Sequence, residues 1–205
     1  MPDLPHSPAA DRNKEPILEV LRCVFGTRGA ALEIACGTGQ HAVFFAAAFA
    51  GWTWQPTDME SDLFPAITAR SAQAGLANVL PPLRLDVLAP QWPAPPAPAF
   101  AQPLDAVYCA NMLHIAPWAT CSGLMRGAAR HLAPGGLLVT YGPYFEDGVP
   151  PAPGNLAFDE SLRARDPSWG IRRLEDVADE ARRAGLALRE RHALPANNLL
   201  LVFEA

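Results

Sequence analysis

The segment ALEIACGTGQHAVFF, ending at Phe45, constrains this chain more than any other. An apolar run breaks at Gly37-Thr38-Gly39 and resumes as a helix-like run. A glycine turn between strand and helix presents backbone N–H groups to the polar part of a nucleotide. Gly37, Gly39 and Ala42 also satisfy the G-x-G-x-x-G/A spacing of dinucleotide-binding turns. The turn alone therefore leaves open which adenosine-bearing cofactor it holds.

The rest of the chain alternates in the same manner. Helical spacing is read over Asp11–Phe25 with Pro16 in its first turn, and over Gln40–Ala50, Leu63–Ala74, Ala119–Leu132 and Leu174–Ala184. Strands are expected at Ala30–Ala35, Trp52–Gln55, Leu83–Leu85, Leu104–Ala110 and Leu137–Tyr141. Residues 142–170 read as a long irregular stretch. Ala187–His192 and Leu199–Phe203, joined by ALPANN, form a strand pair with no helix between, hence antiparallel. The expected fold is α/β, a three-layer Rossmann-like sheet, mostly parallel with an antiparallel C-terminal strand. Right-handed crossovers collect the loops after the parallel strands along one edge, where a ligand binds.

Composition narrows the setting. A chain of 205 residues with half of them hydrophobic and 18% charged suits one domain with a sizeable core. A net charge of −5 makes a nucleic-acid partner unlikely. Neither a signal-peptide pattern nor an apolar run of membrane-spanning length is read. Cys23, Cys36, Cys109 and Cys121 lack C-x-x-C pairing and read as reduced thiols, so a cytoplasmic protein is expected. No metal-ligand spacing is found. The proline-rich run from Ala89 to Pro103 reads as a stiff surface connection.

Three carboxylates fall near strand ends. Glu33 lies inside the first strand, where a dinucleotide-binding strand is usually apolar. Asp58 ends the second strand and can accept both hydroxyls of a ribose, a device dinucleotide enzymes share. Asp86 ends the third, where it can accept an exocyclic adenine amine. With LAPGGLLVTYG ahead of the fifth strand and a reversed strand at the end, these motifs resemble class I S-adenosylmethionine-dependent methyltransferases. The resemblance implies S-adenosylmethionine as cofactor, S-adenosylhomocysteine as product, and a cofactor set of Arg12, Asn13, Glu33, Ala35, Gly37, Gly39, Asp58, Met59, Asp86, Val87, Asn111 and Met112.

PAADRNKEPIL, GTGQHAVFFA, WQPTD, TYGPY, NLAFDESLRARDPSWGIR and LPANN occur in one order across residues 8–198. They resemble a narrower family, domain of unknown function 938, which includes the methyltransferase-like protein 26 group. Arg173 departs from that pattern, which has an acid there.

Methyl transfer is an in-line displacement that rests first on orientation. His114, after the fourth strand, is a candidate base with an ordinary pKa of about 6.5; packing at the strand end is the alternative. His41 at the first helix start and Tyr144 in TYGPYF are further catalytic candidates. Arg12 and Asn13 suit a carboxylate, of the cofactor or of a substrate. Residues 1–28 are expected as a helical cap and 142–172 as a substrate lid, with Tyr141, Asn155, Asp159, Arg163, Trp169, Arg172, Asn197 and Asn198 near the pocket. The expected partner is a small-molecule acceptor. A binding module without catalysis and an NAD(P)-dependent oxidoreductase stay open, and the sequence leaves the oligomeric state open.

Overall fold

A computed structural model describes residues 4–92 and 103–205. Most of the proline-rich run thus lies outside the described residues. The central parallel strands are apolar on both faces, which dictates burial between two layers of helices. In β1 (Gly29–Ile34), Ala31 faces one core while Leu32 and Ile34 face the other. In β4 (Leu104–Ala110), Val107 and Cys109 face one side and Ala106 and Tyr108 the other.

With β2 (Trp52–Asp58), β3 (Leu83–Arg84), β5 (Leu132–Phe145), β6 (Arg172–Arg173), β7 (Ala187–Leu194) and β8 (Asn198–Glu204), the sheet has eight strands. Their order is β3-β2-β1-β4-β5-β8-β7, with β6 paired to β5. Only β8 runs against its neighbours. The expected sheet is therefore present.

Helix α1 (Pro8–Val24) and α2 (Gln40–Ala48) pack on one face, where Ile17, Leu21 and Phe45 are fully buried. The opposite face takes α4 (Ala119–His131) and α6 (Leu174–Arg183) through Leu124, Met125 and Val177. Truncating a fully buried leucine such as Leu21 or Leu124 to alanine removes about 2–5 kcal/mol of stability. Helix α3 (Phe64–Gln73) follows β2, and its Ile67 is fully buried.

Three expectations are corrected. Helix α1 begins at Pro8, capped by the Ser7 hydroxyl, which accepts from the Ala10 N–H at 3.3 Å. Pro16 therefore lies inside the helix rather than in its first turn, and the Arg12 carbonyl loses its usual helical donor. Strand β5 extends beyond Leu137–Tyr141 in both directions, because Gly135 and Gly136 pair with Ala205 and residues 142–145 continue the ladder. The supposedly irregular lid contains helix α5 (Pro153–Arg165), sealed by the fully buried Leu162.

Candidate active site

The loops after β1, β2 and β4 meet at one edge of the sheet. Gly37 and Gly39 have φ of +51° and +72°, and Gly39 has room for no side chain: a Cβ there would meet Ile67 Cγ1 at 2.9 Å. Around Gly37 the space is open. Ala35 adopts φ 55° directly before the turn, a left-handed conformation that costs an alanine about 1–2 kcal/mol. Strain of this kind persists where the surrounding structure holds it and collects at functional sites.

The Asp58 carboxylate is tied to this turn. One oxygen accepts from the Gly37 N–H at 2.9 Å and the other from the Glu60 N–H at 3.3 Å. A carboxylate oxygen carries two lone pairs, so both keep acceptor capacity for a ribose diol. Asp86 lies just past β3, exposed, and accepts from the Leu88 N–H at 2.8 Å. Met59 and Leu88 are large apolar side chains left about half exposed on this edge, and Val87 is buried between them in sequence. An adenosine with its ring against Met59 and Leu88 suits these acceptors and surfaces. The residues fit the nucleoside of S-adenosylmethionine.

Glu33 is placed differently from expectation. Its carboxyl is buried, receives the Trp54 indole N–H at 2.6 Å, and is pushed up to about 8 by burial, partly offset by that bond. It is a protonated support under the turn at neutral pH. Ala35 and Met112 are partly buried against the core.

Beside this edge lies a cavity of about 830 Å³. Its walls come from four separate parts of the chain: Arg12, Asn13 and Pro16 of α1, Asn111 and His114 after β4, Asn155 and Phe158 of α5, and Pro195–Asn198 between β7 and β8, with Tyr141 of β5 at its floor. Asn111, Ala196 and Asn197 have φ of 60°, 60° and 55°. Together with Ala35, every described non-glycine residue of positive φ therefore lies at the turn or at this cavity.

His114 is 6% exposed, with its ring edge-on to Phe158 at 5.6 Å. Gly142 makes room for it, since a Cβ there would lie 3.3 Å from His114 Nδ1. Burial and then the Arg172 charge lower its pKa to about 4. It is a neutral imidazole in the cavity wall, able to accept a proton. Arg172, expected to line the pocket, instead donates to the carbonyls of Leu113, Ala116 and Ser168 at 2.9, 2.6 and 2.9 Å. That guanidinium fastens the end of the lid to the loop carrying His114. Asp159 accepts from the Ile171 N–H and from Arg163. Asp159 and Arg163 brace the lid, and neither they nor Trp169 line the cavity. Asn155, Asn197 and Asn198 do line it, and Asn155 donates to the Asn197 carbonyl at 3.1 Å.

The two other catalytic candidates are corrected. Tyr144 faces the core opposite Tyr141, and its hydroxyl donates to Thr140 Oγ1 at 2.9 Å. His41 is covered by α1, with Nε2 2.7 Å from Asn13 Oδ1 and Nδ1 3.2 Å from the Tyr108 hydroxyl. Both ring nitrogens are engaged, and burial lowers its pKa to about 4. Sequence reasoning missed Gln40 and Arg70. Gln40 holds the Ser7 backbone, and Arg70 donates to the carbonyls of Thr38 at 3.2 Å and Pro5 at 2.7 Å. A glutamine directly after the glycine turn was the available signal. The ion pair of Arg173 is made with Asp147 and Asp176.

The fold has close counterparts among solved structures. An O-methyltransferase family protein from Burkholderia thailandensis matches with a TM-score of 0.76 and 18% identity, over 96% of this chain and 57% of that one. A putative O-methyltransferase from Nostoc punctiforme matches with a TM-score of 0.76 and 18% identity, over 94% and 56%. An O-methyltransferase family 2 protein from Planctomyces limnophilus, solved in complex with apigenin, matches with a TM-score of 0.77 and 15% identity, over 96% and 60%. This chain thus spans less than two thirds of the length of those proteins, and shares with them the class I methyltransferase fold. In sequence it matches, over residues 4–205, the family described as protein of unknown function DUF938, and it belongs to that family.

Proposed function

We propose that this protein transfers the methyl group of S-adenosylmethionine to a small-molecule acceptor held in the cavity beside the glycine turn. The observation that carries the reading is His114: a neutral imidazole in the cavity wall, a few residues past the end of β4. Asp58 and the Gly37 turn would hold the ribose, and Met59, Asp86, Val87 and Leu88 the adenine. Asn111 and Met112 would flank the methionine part. When bound, the cofactor supplies an electrophilic methyl carbon on a positively charged sulfur.

The residues of this chain do the rest. The four wall segments enclose the acceptor and exclude water, so its reactive atom is oriented before reaction. Orientation of this kind supplies about 7–11 kcal/mol in well-aligned systems. His114 accepts the proton of the attacking group; its lowered pKa makes it a weaker base than free imidazole, so its contribution falls toward the lower end of about 10²–10⁴-fold. Residues 1–205 act as one methyltransferase-like unit, with α1 as cap and residues 142–172 as lid. The cysteines are free thiols, three of them buried, which suits a cytoplasmic setting. Among the described residues no helix is long and apolar enough to cross a membrane.

Calorimetry with S-adenosylhomocysteine, followed by transfer of a labelled methyl group to a metabolite extract, tests the reading. Binding with transfer is expected. Binding without transfer under any condition would instead assign a non-catalytic module. Tight binding of a nicotinamide dinucleotide with no response to S-adenosylhomocysteine would assign an oxidoreductase.

A further inference from the structure

A chain of hydrogen bonds runs from the core to the floor of the cavity, and its direction is fixed by burial. The Tyr108 hydroxyl is fully buried, and its partner among the described residues is His41 Nδ1, at 3.2 Å. A buried O–H without an acceptor costs about 1–3 kcal/mol, so Tyr108 donates to Nδ1. His41 then carries its proton on Nε2 and donates to Asn13 Oδ1 at 2.7 Å. With its oxygen so engaged, Asn13 keeps its NH₂ free to donate, and it lines the same cavity as Tyr141, whose phenol it helps hold against the upward push of burial. The Tyr141 phenol lines that cavity and offers it a hydroxyl proton of its own. The relay from Tyr108 through His41 ends at the Asn13 amide, and the cavity floor thus holds that amide and a phenol, both able to donate.

The charges agree. Arg12 lines the same cavity, and its positive charge reaches the Tyr141 phenol. Arg12 enters no ion pair among the described residues, since neighbouring Asp11 is engaged by Lys14 and His6. Arg12, His114 and Tyr141 are the titratable groups in the wall, and none is a carboxylate. A permanent cation and a phenol donor, with no acid opposite them, select an anion and repel an ammonium group.

We infer that the methyl acceptor is a small carboxylate-bearing hydroxy compound, its carboxylate received by Arg12 and Tyr141 and its hydroxyl presented to His114. The inference rests on the methyl-transfer reading above and names its substrate class. In the step, a lone pair of the hydroxyl oxygen forms the new bond to the methyl carbon of S-adenosylmethionine. The carbon–sulfur bond breaks with its electron pair remaining on sulfur, which becomes the neutral thioether of S-adenosylhomocysteine. The hydroxyl proton passes to His114 and on to water. The product is a methyl ether that keeps its carboxylate.

The test uses the full chain, labelled S-adenosylmethionine and a metabolite extract divided by ion exchange into anionic, neutral and cationic fractions. Label is expected in the anionic fraction, in a product that stays on the anion exchanger and survives alkali. With the purified anionic fraction, Arg12→Ala and Tyr141→Phe each raise KM about 10- to 100-fold, while affinity for S-adenosylhomocysteine holds within about twofold. Arg12→Lys recovers part of the loss. Label in the neutral or cationic fraction would overturn the inference and leave methyl transfer standing. Alkali-labile label would place the methyl on the carboxylate and overturn it too. A fall in S-adenosylhomocysteine affinity with Arg12→Ala would assign the guanidinium to the cofactor's own carboxylate. Absence of label from all three fractions, with the cofactor still bound, would remove the methyl-transfer reading itself.

Discussion

The two histidines nearest the site have the same burial and nearly the same lowered pKa, yet opposite surroundings. His41 is 7% exposed and His114 is 6% exposed, and both are held neutral down to about pH 4. His41 has both nitrogens bonded, to Tyr108 and Asn13, and lies under α1. His114 packs against Phe158 and Gly142, carries no side-chain hydrogen bond among the described residues, and forms part of the cavity wall. Burial and pKa therefore do not tell the two rings apart. The fate of the ring nitrogens does.

The largest effect that would break this contrast is catalytic. His114→Ala is expected to lower kcat toward the lower end of about 10²–10⁴-fold, with affinity for S-adenosylhomocysteine unchanged by calorimetry. An unaltered kcat would reduce His114 to a packing residue. Next comes the neighbouring edge. Asp58→Ala should weaken S-adenosylhomocysteine about 10- to 100-fold, because the ribose hydroxyls and the Gly37 N–H lose their acceptor together. Retained affinity would remove Asp58 from the site.

His41→Ala is the converse of the first test. It should cost about 1–3 kcal/mol in denaturant unfolding, since Tyr108 and Asn13 both lose their partner in a buried setting. The kcat of the folded protein should fall by less than about fivefold, well short of a lost base. A loss equal to that of His114→Ala would return His41 to the catalytic candidates.

The last of these tests concerns pH. The carboxyl of Glu33 is raised by burial from an ordinary 4.5 to about 8, so the folded state binds its proton more tightly than the unfolded state. Its contribution is complete below pH 4.5 and is lost as pH rises through about 8. The histidines run the other way: with folded values near 4 against 6.5, their contribution is complete above pH 6.5 and is lost as pH falls toward 4. Glu33→Gln should therefore flatten the decline in Tm between about pH 5 and 8 and leave the acid side unchanged. An identical slope in both proteins would mean that Glu33 is ionised in the fold.

The edge formed by the glycine turn and Asp58 was legible because it is local. Gly37, Gly39 and Asp58 owe their positions to a strand end, a turn and a helix start, each readable within a few residues. The cavity was less so. Tyr144 and Tyr141 differ by an odd number of positions, so in one continuous strand they face opposite layers. Ending the strand at Tyr141 hid that parity, and Tyr144 was placed at the site in error. His41 could not be assigned from its neighbours, because what covers it is α1, packed from the other side of the turn. Arg172 has the chemistry of an anion-binding residue, yet three carbonyls consume it, two of them 59 and 56 positions away.

The wall that joins Arg12 to Asn198 has a kinetic consequence. Its residues are almost two hundred positions apart, so closing it requires β8 to insert between β5 and β7. Such long-range pairing carries a large loop-closure entropy and comes late in folding. The turn and Asp58, only about twenty residues apart, can reach their geometry well before it. On the way to the native state the turn and Asp58 can therefore take up their geometry before the cavity wall is closed.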